Sequence, residues 1–190
     1  GMVAAEESSK RIYGENRYAT SVEIAKALFP DGVEQVILAR GEYEGLYADG
    51  LSASTLAGHL DAPVLLTRQD VLPEEVKVAL KDLGVKNVYI MGGEVAVSQK
   101  VEGTIEDLGI KTVRIEGENR YDTAAQIANY VADHGELAGF AFIVNGHAPA
   151  DSLVAGSIAS GKVAPILQVG ANKVPEETKA AIEALDIKNV

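Results

Sequence analysis

Cysteine and tryptophan are absent from the 190 residues, and phenylalanine occurs only three times. The missing cysteine excludes disulfide scaffolds and thiolate metal sites, although it assigns no compartment. With so few large aromatics, the core must be built from Ala, Val, Ile and Leu. No apolar run approaches the roughly 20 residues that a membrane-spanning helix needs. Positive charge is the scarcer sign: 17 Lys and Arg stand against 28 Asp and Glu, a net charge of -11. That balance excludes a sequence-independent hold on nucleic acid, which needs a basic surface. It equally excludes holding an anionic polymer through overall charge, so such a ligand would require a local basic cleft. No signal peptide is recognisable. Gly1-Met2 reads as a cloning scar and 3–10 as a polar lead-in, which is compatible with an export signal already removed.

What is present is an ordinary globular composition, 47% apolar and 24% charged, and a sentence written twice. Arg11-Ile12-Tyr13-Gly14-Glu15-Asn16-Arg17-Tyr18-Ala19-Thr20 returns as Arg114-Ile115-Glu116-Gly117-Glu118-Asn119-Arg120-Tyr121-Asp122-Thr123. Only Tyr13/Glu116 and Ala19/Asp122 differ. Around the first copy, Arg11-Ile12-Tyr13 reads as a brief extended stretch. Thr20-Ser21-Val22-Glu23 resembles a capping box with Thr20 as N-cap, opening a helix that Pro30-Asp31-Gly32 stops. Val33 to Ala39 is a continuous apolar run, as expected of a strand covered on both faces.

A small-residue helix follows from Asp49 to Leu60, then a strand at Ala62 to Thr67. Another helix opens at Leu72-Pro73-Glu74-Glu75 and ends at Gly84, and Asn87 to Met91 is a strand running into Gly92-Gly93. A helix from about Val95 to Leu108 and a strand from Ile110 to Ile115 complete the set. Strands alternating with helices in this way predict βαβ units and a mostly parallel sheet.

The remainder repeats that order. Ala150-Asp151-Ser152-Leu153 corresponds to Ala48-Asp49-Gly50-Leu51, Ala164-Pro165-Ile166-Leu167 to Ala62-Pro63-Val64-Leu65, and Val174-Pro175-Glu176-Glu177 to Leu72-Pro73-Glu74-Glu75. A period of about 100 residues is that of a duplicated domain rather than a solenoid. The expected division is 1–10 as lead-in, 11–113 as copy one and 114–190 as copy two. Copy two stops before its last strand and helix, so the intact protein is expected to complete the module, and a further copy is expected to follow.

The set R-I-x-G-x-N-R-Y-x-T, a strand ending in A-R-G or V-N-G, A-D-x-L, A-P-[VI]-L, L-P-x-E and I-M-G-G-E-x-A-V-S resembles the cell wall binding repeat 2 family. The resemblance spans Arg11 to Val190. Each motif is short, but their order and spacing, met twice, are specific. It implies a three-layer module, flavodoxin-like or Toprim-like, with a central parallel sheet. It also implies tandem modules that anchor surface and S-layer proteins of Gram-positive bacteria to an anionic secondary wall polymer, without covalent attachment. A chain with fewer than two complete copies departs from the usual arrangement of three.

Candidate functional residues follow from the repetition. Arg17 and Arg120, with Tyr18 and Tyr121, enter a helix after a glycine turn, near the crevice outside strand C-termini where open parallel sheets hold ligands. Arg would suit phosphate or carboxylate and Tyr a sugar face, with Arg40 adding charge. Alternatively, Arg17 pairs with Asp49 and Arg120 with Asp151, stapling two loops in each copy. Gly92-Gly93 is either an anion nest or a tight turn requiring positive φ, and Glu94 occupying the position of an anion favours the turn.

Gly156 to Val163 approaches a P-loop but carries Val163 where Ser or Thr would bind metal, and is expected inside a helix. His59, His134 and His147 have no metal-ligand spacing, and no catalytic constellation is repeated. No cofactor is expected. The reading is a non-enzymatic, exported wall-polymer module. Its alternatives are a self-associating structural module and, less well supported, a nucleotide- or small-molecule-binding α/β domain.

Overall fold

A computed structural model describes residues 12–42, 46–135, 141–145, 158–159, 162–163 and 165–187. In copy one, helices α1 (Arg17–Leu28), α2 (Leu46–Leu60), α3 (Glu74–Asp82) and α4 (Gln99–Glu106) alternate with strands β1 (Gln35–Arg40), β2 (Val64–Thr67), β3 (Asn87–Met91) and β4 (Lys111–Ile115). The strands form one sheet in the order β2-β1-β3-β4, every pair parallel. Ile37 lies opposite Val64 on one side and Tyr89 on the other, so β1 is central. Its run Val36 to Ala39 is fully buried, and the absence of polar alternation follows from cover on both faces.

One face of the sheet presents Val36, Leu38, Val88 and Ile90 to α1, α3 and α4, through residues such as Val22, Ala25, Val76, Leu80, Val101 and Ile105. The opposite face presents Ile37, Ala39, Tyr89, Met91 and Ile115. There α2 contributes Ala53 and Leu56, and the remaining cover comes from copy two. The helix α5 (Arg120–His134) lays Ile127 and Val131 onto this face, both fully buried. The other side of α5 buries Ala125 and Ala128 with Leu167 and Ala181 in its own copy. That smaller core holds β5 (Phe142–Asn145) and β8 (Ile166–Val169), a parallel pair, with α6 (Glu176–Ala184). The mixed α/β, three-layer architecture with a parallel sheet is therefore as the sequence predicts.

Helix α2 is wedged between the copies. Its Thr55 hydroxyl accepts a buried hydrogen bond from the Ile166 backbone N–H at 3.1 Å, satisfying a donor on strand β8 from the neighbouring repeat.

Several expectations are corrected. The N-cap of α1 is Asn16, whose side chain accepts from the Ala19 N–H, and not Thr20, which lies inside the helix. Ile12 and Tyr13 form no strand. Helix α4 begins at Gln99, because 94–97 are taken up by turn. At residues 158–159 and 162–163, the described part of the stretch Gly156 to Val163, the expected helix is not formed. Short strands β6 (Ile158–Ala159) and β7 (Lys162–Val163) pair antiparallel instead, with Ile158 opposite Val163. The β-branched Ile158 and Val163 suit extended backbone better than helix there.

Candidate functional site

The repeated decapeptide is explained almost residue by residue. Asn119 caps α5 as Asn16 caps α1, its Oδ1 accepting from the N–H groups of Tyr121 and Asp122. In each copy the same amide turns its Nδ2 to the helix that follows Pro: Asn16 donates to Glu75 at 3.1 Å and Asn119 to Glu177 at 2.8 Å. The latter bond, ahead of lesser contributions, holds the Glu177 carboxyl below the usual range. Thr20 and Thr123 accept from the N–H of Gly14 and Gly117, both at 3.0 Å. The glycines are required by close approach, since a Cβ on Gly14 would lie 2.6 Å from the Ala19 carbonyl carbon and one on Gly117 2.4 Å from Thr123 N. Asp122, where copy one has Ala19, accepts from the Glu118 N–H.

Arg17 and Tyr18 do work local to copy one. Arg17 donates to the carbonyl of Gly41, just beyond β1. Tyr18 is buried against Gly41, with the Arg68 guanidinium 4.9 Å above its ring. Asp49 falls in the first half of α2, while its side chain and all of Asp151 lie outside what is described, as do the expected staples to them. His147 lies there too.

Arg120, the counterpart of Arg17, stands elsewhere. It lines a cleft of about 570 Å³ between the two copies, at the C-terminal ends of β1, β3 and β4. Copy one supplies Arg40, Glu42, Gly92, Gly93, Glu94, Val95 and Ala96, and the second decapeptide supplies Glu116 to Arg120 and Thr123. Of the candidates named from sequence, Arg40, Gly92, Gly93 and Arg120 thus come together, whereas Arg17, Tyr18 and Tyr121 do not line it. Gly92 adopts φ +88°, the conformation a tight turn demands. A Cβ on Gly93 would come within 2.6 Å of Glu116 Oε2, so the approach to this glycine pair faces a carboxylate.

The cleft is a mixed electrostatic surface. Arg40 donates to the Val95 carbonyl at 3.2 Å, and its Nε lies 3.4 Å from Glu42 Oε2. Glu42 also accepts from the Gln69 N–H and lies 3.8 Å from Arg68. Glu94 accepts from the Gln99 side chain. Val95, 81% exposed, stands out as an apolar residue on the wall. The one hydroxyl in the lining, that of Thr123, is already engaged by Gly117.

Residues that sequence reasoning missed include Glu116, Glu118 and Arg114, whereas Glu42 and Glu94 stand on the acidic rim the sequence suggests. Arg114 Nη2 pairs with Glu102 at 2.7 Å and its Nη1 donates to the carbonyls of Gly92 and Val97, pinning the Gly92 to Val97 wall to β4. Its position at the head of the decapeptide was the available signal. Among the described residues, no group of three or more His, Asp or Glu is placed to hold a metal ion.

A duplicated three-layer α/β module, with a cleft formed where one repeat's entry segment meets the preceding repeat's strand ends, defines a tandem-repeat domain rather than a single-module fold. The family follows from direct comparison: the chain belongs to the cell wall binding domain 2 family, whose model matches residues 11–102 and again 114–188. It is 37% identical over 179 residues to the N-acetylmuramoyl-L-alanine amidase LytC of Bacillus subtilis (strain 168), which covers 94% of this chain and 34% of that protein. Similarity to the amidase enhancer of the same organism is 33% over 171 residues, 90% of this chain and 22% of the relative. Among solved structures, Cwp6 from Clostridium difficile superposes with a TM-score of 0.81 at 33% identity, over 92% of this chain and 27% of that one. Cwp8 from the same organism gives 0.74 at 31% identity, covering 90% of this chain and 29% of that one. The chain thus spans about a third or less of each relative's length. No described helix is long and apolar enough to cross a membrane.

Proposed function

We propose that the chain is a non-catalytic anchor of an exported surface protein, and that it holds an anionic secondary wall polymer in the cleft between its repeats. The supporting observation is the convergence of Arg40 and Arg120, from different copies, on one 570 Å³ cleft beyond the strand ends. Guanidinium groups give phosphate or carboxylate paired, directional hydrogen bonds, and Val95 offers a sugar ring an apolar surface. The four glutamates around them set a limit: a polyanion must engage the arginines locally, because the protein's net charge of -11 repels it at a distance. Binding at one such cleft is therefore weak, and repetition along a polymer strengthens it through effective concentration. The catalytic activity named for the amidase relative belongs to a protein of which this chain matches a third, and the cleft's lining suits holding better than bond breaking. The test is sedimentation of the protein with purified Gram-positive walls, before and after removal of their secondary polymers. Equal retention on stripped peptidoglycan would sink the polymer reading.

A second reading, association with further repeats, is favoured by a specific contrast. Ile24 and Leu28 of α1 correspond to Ile127 and Val131 of α5, yet they are 41% and 65% exposed where their counterparts are fully buried on the neighbouring repeat. We infer that α1 presents the same apolar stripe to another repeat, from the same polypeptide or from a second copy. Light scattering over a concentration series tests this, with Leu28→Lys expected to abolish any self-association and to leave the fold intact. A monomer at every concentration would limit the partner to repeats of the same polypeptide.

A further inference from the structure

The contact between α2 and α5 has an apolar centre and an ionisable end. Tyr130 of the second repeat stands between two imidazoles. Its ring stacks on His134 with centroids 4.2 Å apart and an interplanar angle of 23°. It meets His59, from the first repeat, edge to face at 6.5 Å and 83°. Tyr89 of β3 lies 6.2 Å away on a further side. The His59 ring also abuts the backbone that ends α5, where a Cβ on Gly135 would lie 2.7 Å from His59 Cε1. The two histidines therefore meet through one tyrosine, across the junction between repeats.

We propose that this ring cluster is an acid-sensitive latch, in which protonating both imidazoles loosens α5 from α2 and so frees the second repeat from the first. One positive charge is well accommodated. His134 is exposed to solvent at the C-terminal end of α5 and stacks on Tyr130. The second charge is not. His59 is partly buried, its ring against the backbone that ends α5, with His134 as the charge it faces. Burial first, and the charge of His134 second, hold His59 below the ordinary histidine range.

Among the described residues, no carboxylate compensates that charge. Among the elements packed on α2, strands β2 and β8 carry no ionisable residue, β1 carries Arg40 in the cleft beside Glu42, and β7 carries Lys162. Helix α5 adds exposed Asp133, and Asp61 follows α2, but among the described contacts no carboxylate pairs with either imidazole. Tyr89, pushed up to about 12 by burial and by its hydrogen bond with Tyr130, stays neutral throughout. For a depressed histidine the sign is fixed. The closed junction is fully favoured above the ordinary value of 6.5 and weakens as pH falls below it toward the lower folded-state value. The cleft is built from both repeats, so it would open with the junction.

Hydrogen exchange on the whole chain tests this, comparing about pH 7.5 with about pH 5.5 after correction for intrinsic rates. Protection of α5 around Ile127 to Val131 is expected to fall on the order of threefold to tenfold in acid, while α1, its counterpart without histidine, stays constant. His59→Gln should remove the fall. Equal protection of α5 at both pH values, or a fall that persists in His59→Gln, would overturn the proposal. Should that variant fold poorly, an NMR titration of the wild-type imidazoles decides: His59 must titrate below the ordinary histidine range, and titration at or above it contradicts the latch.

Discussion

Asn16 and Asn119 each perform two tasks, capping a helix and tying its entry to the helix after Pro73 or Pro175 through Glu75 or Glu177. Replacing Asn119 with Ala removes both and is expected to cost about 1–2 kcal/mol, with a comparable loss for Asn16→Ala. Urea unfolding midpoints measure this. Glu177 adds a pH dependence. Its carboxyl is held down chiefly by the Asn119 amide, so the contribution is present above the ordinary carboxylate value of 4.5 and lost as pH falls through the lower folded value. Glu177→Gln should flatten that part of an acid unfolding curve, and an unchanged curve would remove the pair from consideration. The decapeptide itself was plain in the sequence because its constraints are local and recur in both copies. Its cap was misplaced because Thr20 and Glu23 imitate a capping box, whereas Asn16 takes the N-cap and leaves Thr20 to hold Gly14.

Aligned helices in a duplicated protein need not have the same cover. In α1, Val22 and Ala25 face the core and Ile24 faces solvent, whereas α5 buries its Ala125 and Ala128 in one repeat and its Ile127 in the other. Ile127→Ala is accordingly expected to destabilise by about 2–5 kcal/mol, through lost burial plus a cavity. Ile24→Ala, on the exposed stripe, should cost less than about 1 kcal/mol. Thermal unfolding of the pair checks the contrast, and equal losses would contradict the described junction. Nothing in the sequence announces it, since the two helices carry the same apolar spacing. Comparison of a repeat with itself reveals what is common to both copies. The contacts of α5 with α2, and of Tyr130 with His59, join positions that do not correspond.

At the scale of the molecule, parallel α/β layering was legible because the central strands β1 and β3 carry short continuous apolar runs and the strands alternate with helices. The cleft was only half legible. Arg40, Gly92, Gly93 and Arg120 were nameable, but their meeting depends on how one repeat docks on the next. Arg17 and Arg120 occupy the same place in the decapeptide, yet Arg17 braces Gly41 while Arg120 lines the cleft of the neighbouring repeat. Their substitutions should therefore differ. Arg120→Ala and Arg40→Ala are each expected to weaken polymer retention by roughly tenfold, the scale of a lost charge-assisted contact, and to reduce its salt sensitivity. Arg17→Ala should act mainly on stability. Retention assays at two ionic strengths distinguish these outcomes.

Wall binding through a secondary polymer rests finally on co-sedimentation of the intact chain with purified Gram-positive walls, compared before and after chemical removal of the anionic polymers. Retention on native walls, its loss on stripped peptidoglycan and its weakening in Arg40→Ala and Arg120→Ala are the expected results. Retention that survives stripping, or that is indifferent to both arginines, would contradict a polymer site in the cleft between the repeats.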